Sequence, residues 1–120
     1  MTIERIPSGS IYEDKVGYCR AVVAGGWVHV SGTVAEGDTV QAQCKGALDI
    51  IQSALQKAGT DFANVVRVQY FLPKATDFEP CWPVLRAAFG DHKPAATMIE
   101  CGLIDPKFKI EIEVTALLPE

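Results

Sequence analysis

The sequence predicts an α+β fold in the order β-β-α-β-α-β-β, with two helices packed on one face of a single mixed sheet. Three observations predict it. Short runs of two-residue alternation recur along the chain, the signature of half-buried strands. Two longer stretches carry apolar residues at helical spacing. A length of 120 residues leaves room for one core, so residues 1–120 are expected to form a single domain.

The elements follow in order. Residues 1–16 mix polar and turn-forming types, with Pro7 and Gly9, and read as an irregular N-terminal arm. Arg20 to Val23 opens a strand, and Gly25-Gly26 is a two-residue hairpin signal. In the return strand, Trp27 to Val34, alternation puts Val28, Val30, Gly32 and Val34 on one face. Asp38 or Thr39 offers an N-cap to a helix of about five turns. Its stripe is Val40, Cys44, Ala47, Leu48, Ile51, Leu55 and Ala58, and Gly59 supplies the stop. Asn64 to Leu72 is a strand with Val66, Val68, Tyr70 and Leu72 on one face and Val65, Arg67, Gln69 and Phe71 on the other.

Asp77 to Phe89 reads as the second helix. Proline lacks a backbone donor, so its regular part must begin near Pro80, leaving Pro83 in the first turn. Strands at Thr97 to Cys101 and Lys109 to Leu117 complete the sheet, the latter alternating Ile110, Ile112, Val114 and Ala116 with Lys109, Glu111, Glu113 and Thr115. The sheet face opposite the helices then carries Trp27, Val65, Phe71 and Leu117 among polar groups. That face is too apolar to be left wholly to water, which predicts a second subunit over it.

Composition narrows the function. A net charge of −4, with lysine and arginine scattered, counts against a nucleic-acid partner. No apolar run approaches the roughly 18 residues of a membrane span, and residues 1–5 lack the apolar stretch of a signal peptide. A cytoplasmic protein with no membrane partner is expected. Cys19, Cys44, Cys81 and Cys101 are widely spaced and read as reduced thiols, without an intrachain disulfide. The only histidines, His29 in a strand and His92 in a loop, make a poor metal set, so no metal is expected. Glycine-rich nucleotide loops and the G-x-S-x-G elbow do not occur in the sequence. The constellation with chemical content is Glu111 and Glu113 with Arg67 and Gln69, each pair two residues apart on a polar strand face. Brought together, they form either an ion-paired surface or a carboxylate able to steer a water or a proton.

Several motifs occur in a telling order: Gly17-Tyr18-Cys19-Arg20-Ala21-Val22, Val30-Ser31-Gly32-Thr33, Gln43 in the first helix, the Ala58-Gly59 end, Asn64-Val65-Val66-Arg67-Val68, Asp77-Phe78, Pro94-Ala95 and Ile110-Glu111-Ile112-Glu113-Val114. Together, from about Val16 to Ala116, they resemble the RidA family, also called YjgF/YER057c/UK114. The resemblance implies a chorismate-mutase-like fold and a homotrimer with a central barrel and clefts between subunits. It also implies cofactor-free and metal-free hydrolysis of enamines and imines. Carried over residue by residue, it implies Glu111 as the group handling water or proton, with Tyr18, Ser31 and Gly32 lining the cleft. Two positions depart from the family. The arginine that grips the substrate carboxylate is replaced by Ala96, and the cleft asparagine falls at or near Trp82.

A bidentate arginine–carboxylate contact is strong and sets geometry, and alanine cannot replace it. Weak hydrolysis of small 2-imino acids such as 2-iminopropanoate is therefore expected, unless Arg20, Arg67, Arg86 or Lys93 takes the arginine's place. Three functions follow: an enamine or imine deaminase of altered specificity, a non-catalytic small-metabolite sensor, and a ribonuclease or translation inhibitor. The acidic charge and the lack of a histidine pair count against the third.

Overall fold

The structure is a computed structural model and describes residues 2–120. Six strands form one mixed sheet: β1 (Ile3–Ile6), β2 (Ala21–Ala24), β3 (Trp27–Thr33), β4 (Val65–Leu72), β5 (Ala95–Glu100) and β6 (Glu111–Leu117). The helices are α1 (Tyr12–Val16), α2 (Val40–Ala58) and α3 (Trp82–Phe89). The spatial order is β1-β2-β3-β6-β4-β5, so the last strand in sequence is central. Only β4 and β5 run parallel, joined through α3, as a parallel pair requires a crossover. This is the mixed α+β arrangement expected from the sequence, with additions at the N-terminus.

Among the described residues, 2–16 are not irregular throughout. Ile3–Ile6 extends the sheet by pairing antiparallel with β2, and only Ile6 is buried. Tyr12–Val16 makes just over one helical turn with no buried residue, closed by Gly17 in the left-handed region at φ 85°. Both elements are too short to show an apolar period.

The α2 helix follows its sequence closely. Thr39 caps it by accepting from the Ala42 amide at 3.1 Å, and Gly59 ends it at φ 94°. Val40, Cys44, Ala47, Leu48, Ile51 and Leu55 are buried against the sheet, and Ile112, Val114 and Ala116 of β6 lie beneath. Fully burying each large aliphatic chain contributes about 1.5–3 kcal/mol. Helix α3 starts at Trp82 rather than near Pro80. Pro80 lies in a 3-10 turn at Glu79–Cys81, and Pro83 sits in the first turn of α3, where its missing donor has no helical partner to lose.

Two bulges change the faces read from simple alternation. Opposite β6, the register passes from Val65↔Ala116 to Arg67↔Thr115, so Val66 is an extra residue. Val65 is buried and Val66 exposed, which removes Val65 from the open face. Opposite β6 on the other side, the register passes from Val30↔Val114 to Thr33↔Ile112, three steps on β3 against two on β6. Thr33, not Gly32, therefore faces the core. Its hydroxyl is satisfied, donating to Ser31 O at 2.7 Å and accepting from Arg20 Nη1 at 2.8 Å.

Candidate functional site

The β3 bulge sets up the site. By turning Thr33 inward it leaves Gly32 beside the first residue of the central strand, Glu111. A Cβ on Gly32 would fall 3.0 Å from the Glu111 carboxyl carbon and closer still to its oxygen. Only glycine leaves that space for the carboxylate. Glu111 is half-buried, and its carboxyl is held above the ordinary value chiefly by burial, then by the charge of Glu113. Arg20 acts in the opposite direction.

Arg20 and Tyr18 enter from the segment before β2. The Arg20 guanidinium lies 5.7 Å from the centre of the Tyr18 ring. Its Nη1 donates to Thr33 Oγ1 at 2.8 Å and to Gly32 O at 3.4 Å, so it also pins the bulge. The Tyr18 phenol is lowered below its ordinary pKa, first by the Ser8 hydroxyl, then by Ser10, with a smaller contribution from Arg20. Tight local turns hold those serines: Ser8 Oγ accepts from the Ser10 amide at 3.1 Å, and Ser10 Oγ from the Tyr12 amide at 3.1 Å.

These groups border one groove of about 1160 Å³. Its walls are the segment from Ile6 to Val16, the exposed flank of α2 at Asp49, Ile50, Ser53 and Lys57, and the loop from Ile104 to Phe108. Tyr18, Arg20, Gly32 and Glu111 all line it. Buried Gln43 fixes the loop. Its amide nitrogen donates to Gly37 O and Lys107 O, both at 3.0 Å, and its oxygen accepts from the Lys109 amide at 2.8 Å. The chain is thereby anchored two residues before Glu111.

Not every expected residue joins the groove. The Ser31 hydroxyl donates to Cys19 O at 2.7 Å, and Ser31 lines a separate shallow depression with Arg5 and Gly17. Trp82 and Ala96 lie outside the groove of a single chain. Trp82 stands at the start of α3, edge-on to Phe78, and Ala96 sits on edge strand β5 opposite Val68. The Glu111, Glu113, Arg67 and Gln69 constellation assembles only in part. Gln69 faces Glu113, but Phe71 faces Glu111 and Arg67 faces Thr115. Arg67 donates to Thr97 at 2.9 Å, and no carboxylate pairs with it among the described residues. Arg86 and Lys93 are exposed on α3 and the following loop. Of the four cations considered in place of the missing arginine, only Arg20 reaches the groove. Ser8 and Ser10 were not anticipated, although the Ser-Gly-Ser spacing is a turn signal.

Cys44 and Cys81, distant in sequence, are buried together. The Cys44 thiol is raised by its neighbour Cys81 first and by burial second. All four cysteines are free, and no cluster of three metal-ligating side chains occurs among the described residues. No helix among them is long and apolar enough to cross a membrane.

A single mixed sheet, helices on one face and a groove beside the start of the central strand define a small α+β protein class with known relatives. Residues 12–118 match the family model described as Endoribonuclease L-PSP. A crystal structure of a Mycobacterium tuberculosis member of the YjgF/YER057c/UK114 family superposes with TM-score 0.94 at 37% identity, covering 98% of this chain and all of that one. A Neisseria meningitidis member of the YjgF family superposes at 0.89 with 27% identity, covering 100% of this chain and 98% of that one. An uncharacterized Streptomyces coelicolor protein is 30% identical over 123 residues, covering 95% of this chain and 91% of that protein. The chain belongs to this family, the RidA or YjgF/YER057c/UK114 family, as its motifs imply.

Proposed function

We propose that the protein binds small metabolites in this groove and hydrolyses an enamine or imine, with specificity altered from that of relatives carrying the clamp arginine. The observation that carries the reading is Glu111: a half-buried carboxylate, raised above its ordinary value, seated against Gly32 at the wall of a largely apolar groove. A carboxyl shifted upward holds a proton better than a free one and can both take and return it. In the proposed reaction water adds to the C=N carbon, one water proton passes through Glu111 to nitrogen, and the carbinolamine collapses to a carbonyl and ammonia. Tyr18, its phenol lowered by the nearby Ser8 and Ser10 hydroxyls, is suited to hold a polar substituent.

The test is turnover of a panel of enamines and imines by the purified protein and by Glu111→Gln, beside an unrelated protein of equal concentration. Removal of a general acid–base group lowers the rate by about 10²–10⁴-fold. Wild-type protein no faster than the control across the panel would overturn hydrolysis and leave binding alone. A nuclease arm on RNA addresses the activity in the family's description. Four carboxylates, Glu36, Asp49, Asp105 and Glu111, line the groove, and these disfavour a phosphate backbone there.

A further inference from the structure

We propose that Arg20 is a positioning residue of the site: it clamps the β3 bulge that seats Glu111 and the Tyr18 ring to one side chain, without itself touching substrate. The inference rests on the functional reading above and deepens it to the control of that same carboxyl.

Arg20 holds three consecutive residues of the bulge. Its carbonyl oxygen accepts from the Ser31 amide at 2.9 Å. Its Nη1 donates to Gly32 O at 3.4 Å and to Thr33 Oγ1 at 2.8 Å. The flanking backbone is tied as well. The Arg20 amide donates to Ile6 O at 2.8 Å, and the Ser31 hydroxyl donates to Cys19 O at 2.7 Å. A bulge breaks the strand ladder locally, so its shape depends on bonds from outside the ladder. A guanidinium is planar, with its donors in a rigid fork, and it holds two acceptors in one orientation where a flexible ammonium does not. The Arg20 Nε is buried without a partner. That edge of the group is closed to a ligand, so Arg20 acts on the protein.

Its charge acts on the same carboxyl. Among the described residues no carboxylate pairs with Arg20. Burial and Glu113 both favour the protonated form of Glu111, and Arg20 is the charge that opposes them. Strands β3 and β4 present Gly32 and Phe71 beside Glu111, both uncharged. Tyr18, Glu36, Asp105 and Lys107 line the same groove, as do Asp49 and Lys57 of α2, with Lys107 held by Glu36 at 2.7 Å. Arg20 therefore fixes where Glu111 sits and how readily it gives up its proton.

The experiment follows the Glu111 carboxyl carbon by NMR through a pH titration of the full chain, beside enamine and imine turnover. Arg20→Gln removes the charge, so the Glu111 midpoint should rise. The limb of the pH–rate profile that Glu111 governs should move upward with it. The kcat should fall about ten- to a hundred-fold, the cost of misplacing a reacting group, with KM within about two-fold. Arg20→Lys keeps the charge and loses the fork, so it should restore the midpoint but not the rate. Because Arg20 holds the bulge, the glutamine variant can fail to fold. The buried wild-type Nε–H gives a second readout that needs no variant, since its resonance should shift with the Glu111 titration at the same midpoint. An Nε–H signal with no transition there, a Glu111 midpoint unmoved by Arg20→Gln, full activity in Arg20→Lys, or a loss confined to KM for carboxylate substrates would overturn the assignment. The titrations separate this inference from the function it rests on. Coupled titrations without turnover of any imine sink the enzyme and keep the clamp. Turnover with uncoupled titrations does the reverse.

Discussion

Glu111 shows how a single residue can be read from a strand pattern and yet owe its chemistry to packing. Alternation along β6 puts it off the core face, and motif order marks it as functional, but neither reveals the half-buried seat against Gly32. That seat has a consequence for stability. The folded state binds the Glu111 proton more tightly than the unfolded chain, because burial and Glu113 penalise the charged form. Between the ordinary value of 4.5 and the raised one, the native state therefore holds more protons than the unfolded state. Stability falls as pH rises through that window, and the penalty is complete above it. Glu111→Gln, which removes the charge at nearly constant shape, is expected to raise the thermal midpoint at pH 7. The difference between variant and wild type should shrink as the pH is lowered below 4.5. A variant less stable than wild type at pH 7 would mean that the carboxylate is favourably paired. Arg20 illustrates the opposite case. Its charge is plain in the sequence, yet which of four cations reaches the groove depends on where a bulge falls.

At the scale of elements, legibility follows length and repetition. The α2 stripe repeats for five turns and carries its own cap and stop, so its period is unmistakable. The segment β1 offers one buried residue and α1 none, so neither leaves an apolar rhythm to read. The bulges are hidden for a different reason. Val65 and Val66 are both apolar, and either phase of the strand satisfies the pattern. Cross-strand pairing decides between them. The loop before β6 presents a third case, since its order comes from a side chain more than sixty residues away. Gln43 makes three hydrogen bonds from a buried position, two of them to the loop that delivers Glu111. Gln43→Leu leaves the Lys109 amide and two carbonyls to find new partners inside the protein. A loss of about 2–4 kcal/mol in urea unfolding is expected. A loss under about 0.5 kcal/mol would show that water replaces Gln43 at little cost.

For the whole molecule, one face of the sheet is sealed by α2 and α3 and the other is not. On the open face Trp27 is 42% exposed, Leu117 39% and Ile99 38%, and half-buried Phe71 pairs with Ile99 across β4 and β5. Trp27 and Leu117 are ladder partners on β3 and β6, so the apolar groups fall in cross-strand pairs rather than as scattered singles. Burying such pairs against other copies gains roughly 25 cal/mol per Å² of apolar surface, and closing the sheets on one another removes the edge that β5 presents. The family resemblance supplies the three-fold arrangement, and a trimer would give Trp82 and Ala96 a route into a neighbour's groove that one chain does not offer. Light scattering at micromolar concentration is expected to give three times the chain mass of 13.0 kDa. Ile99→Arg, a charge beside Phe71 on that face, is expected to shift the mass toward one chain while circular dichroism stays unchanged, since Ile99 is exposed and lies outside the buried core. A wild-type mass of a single chain would sink the trimer. Unchanged assembly in Ile99→Arg would place the contact elsewhere on the sheet, with Trp27 and Leu117 the next pair to alter.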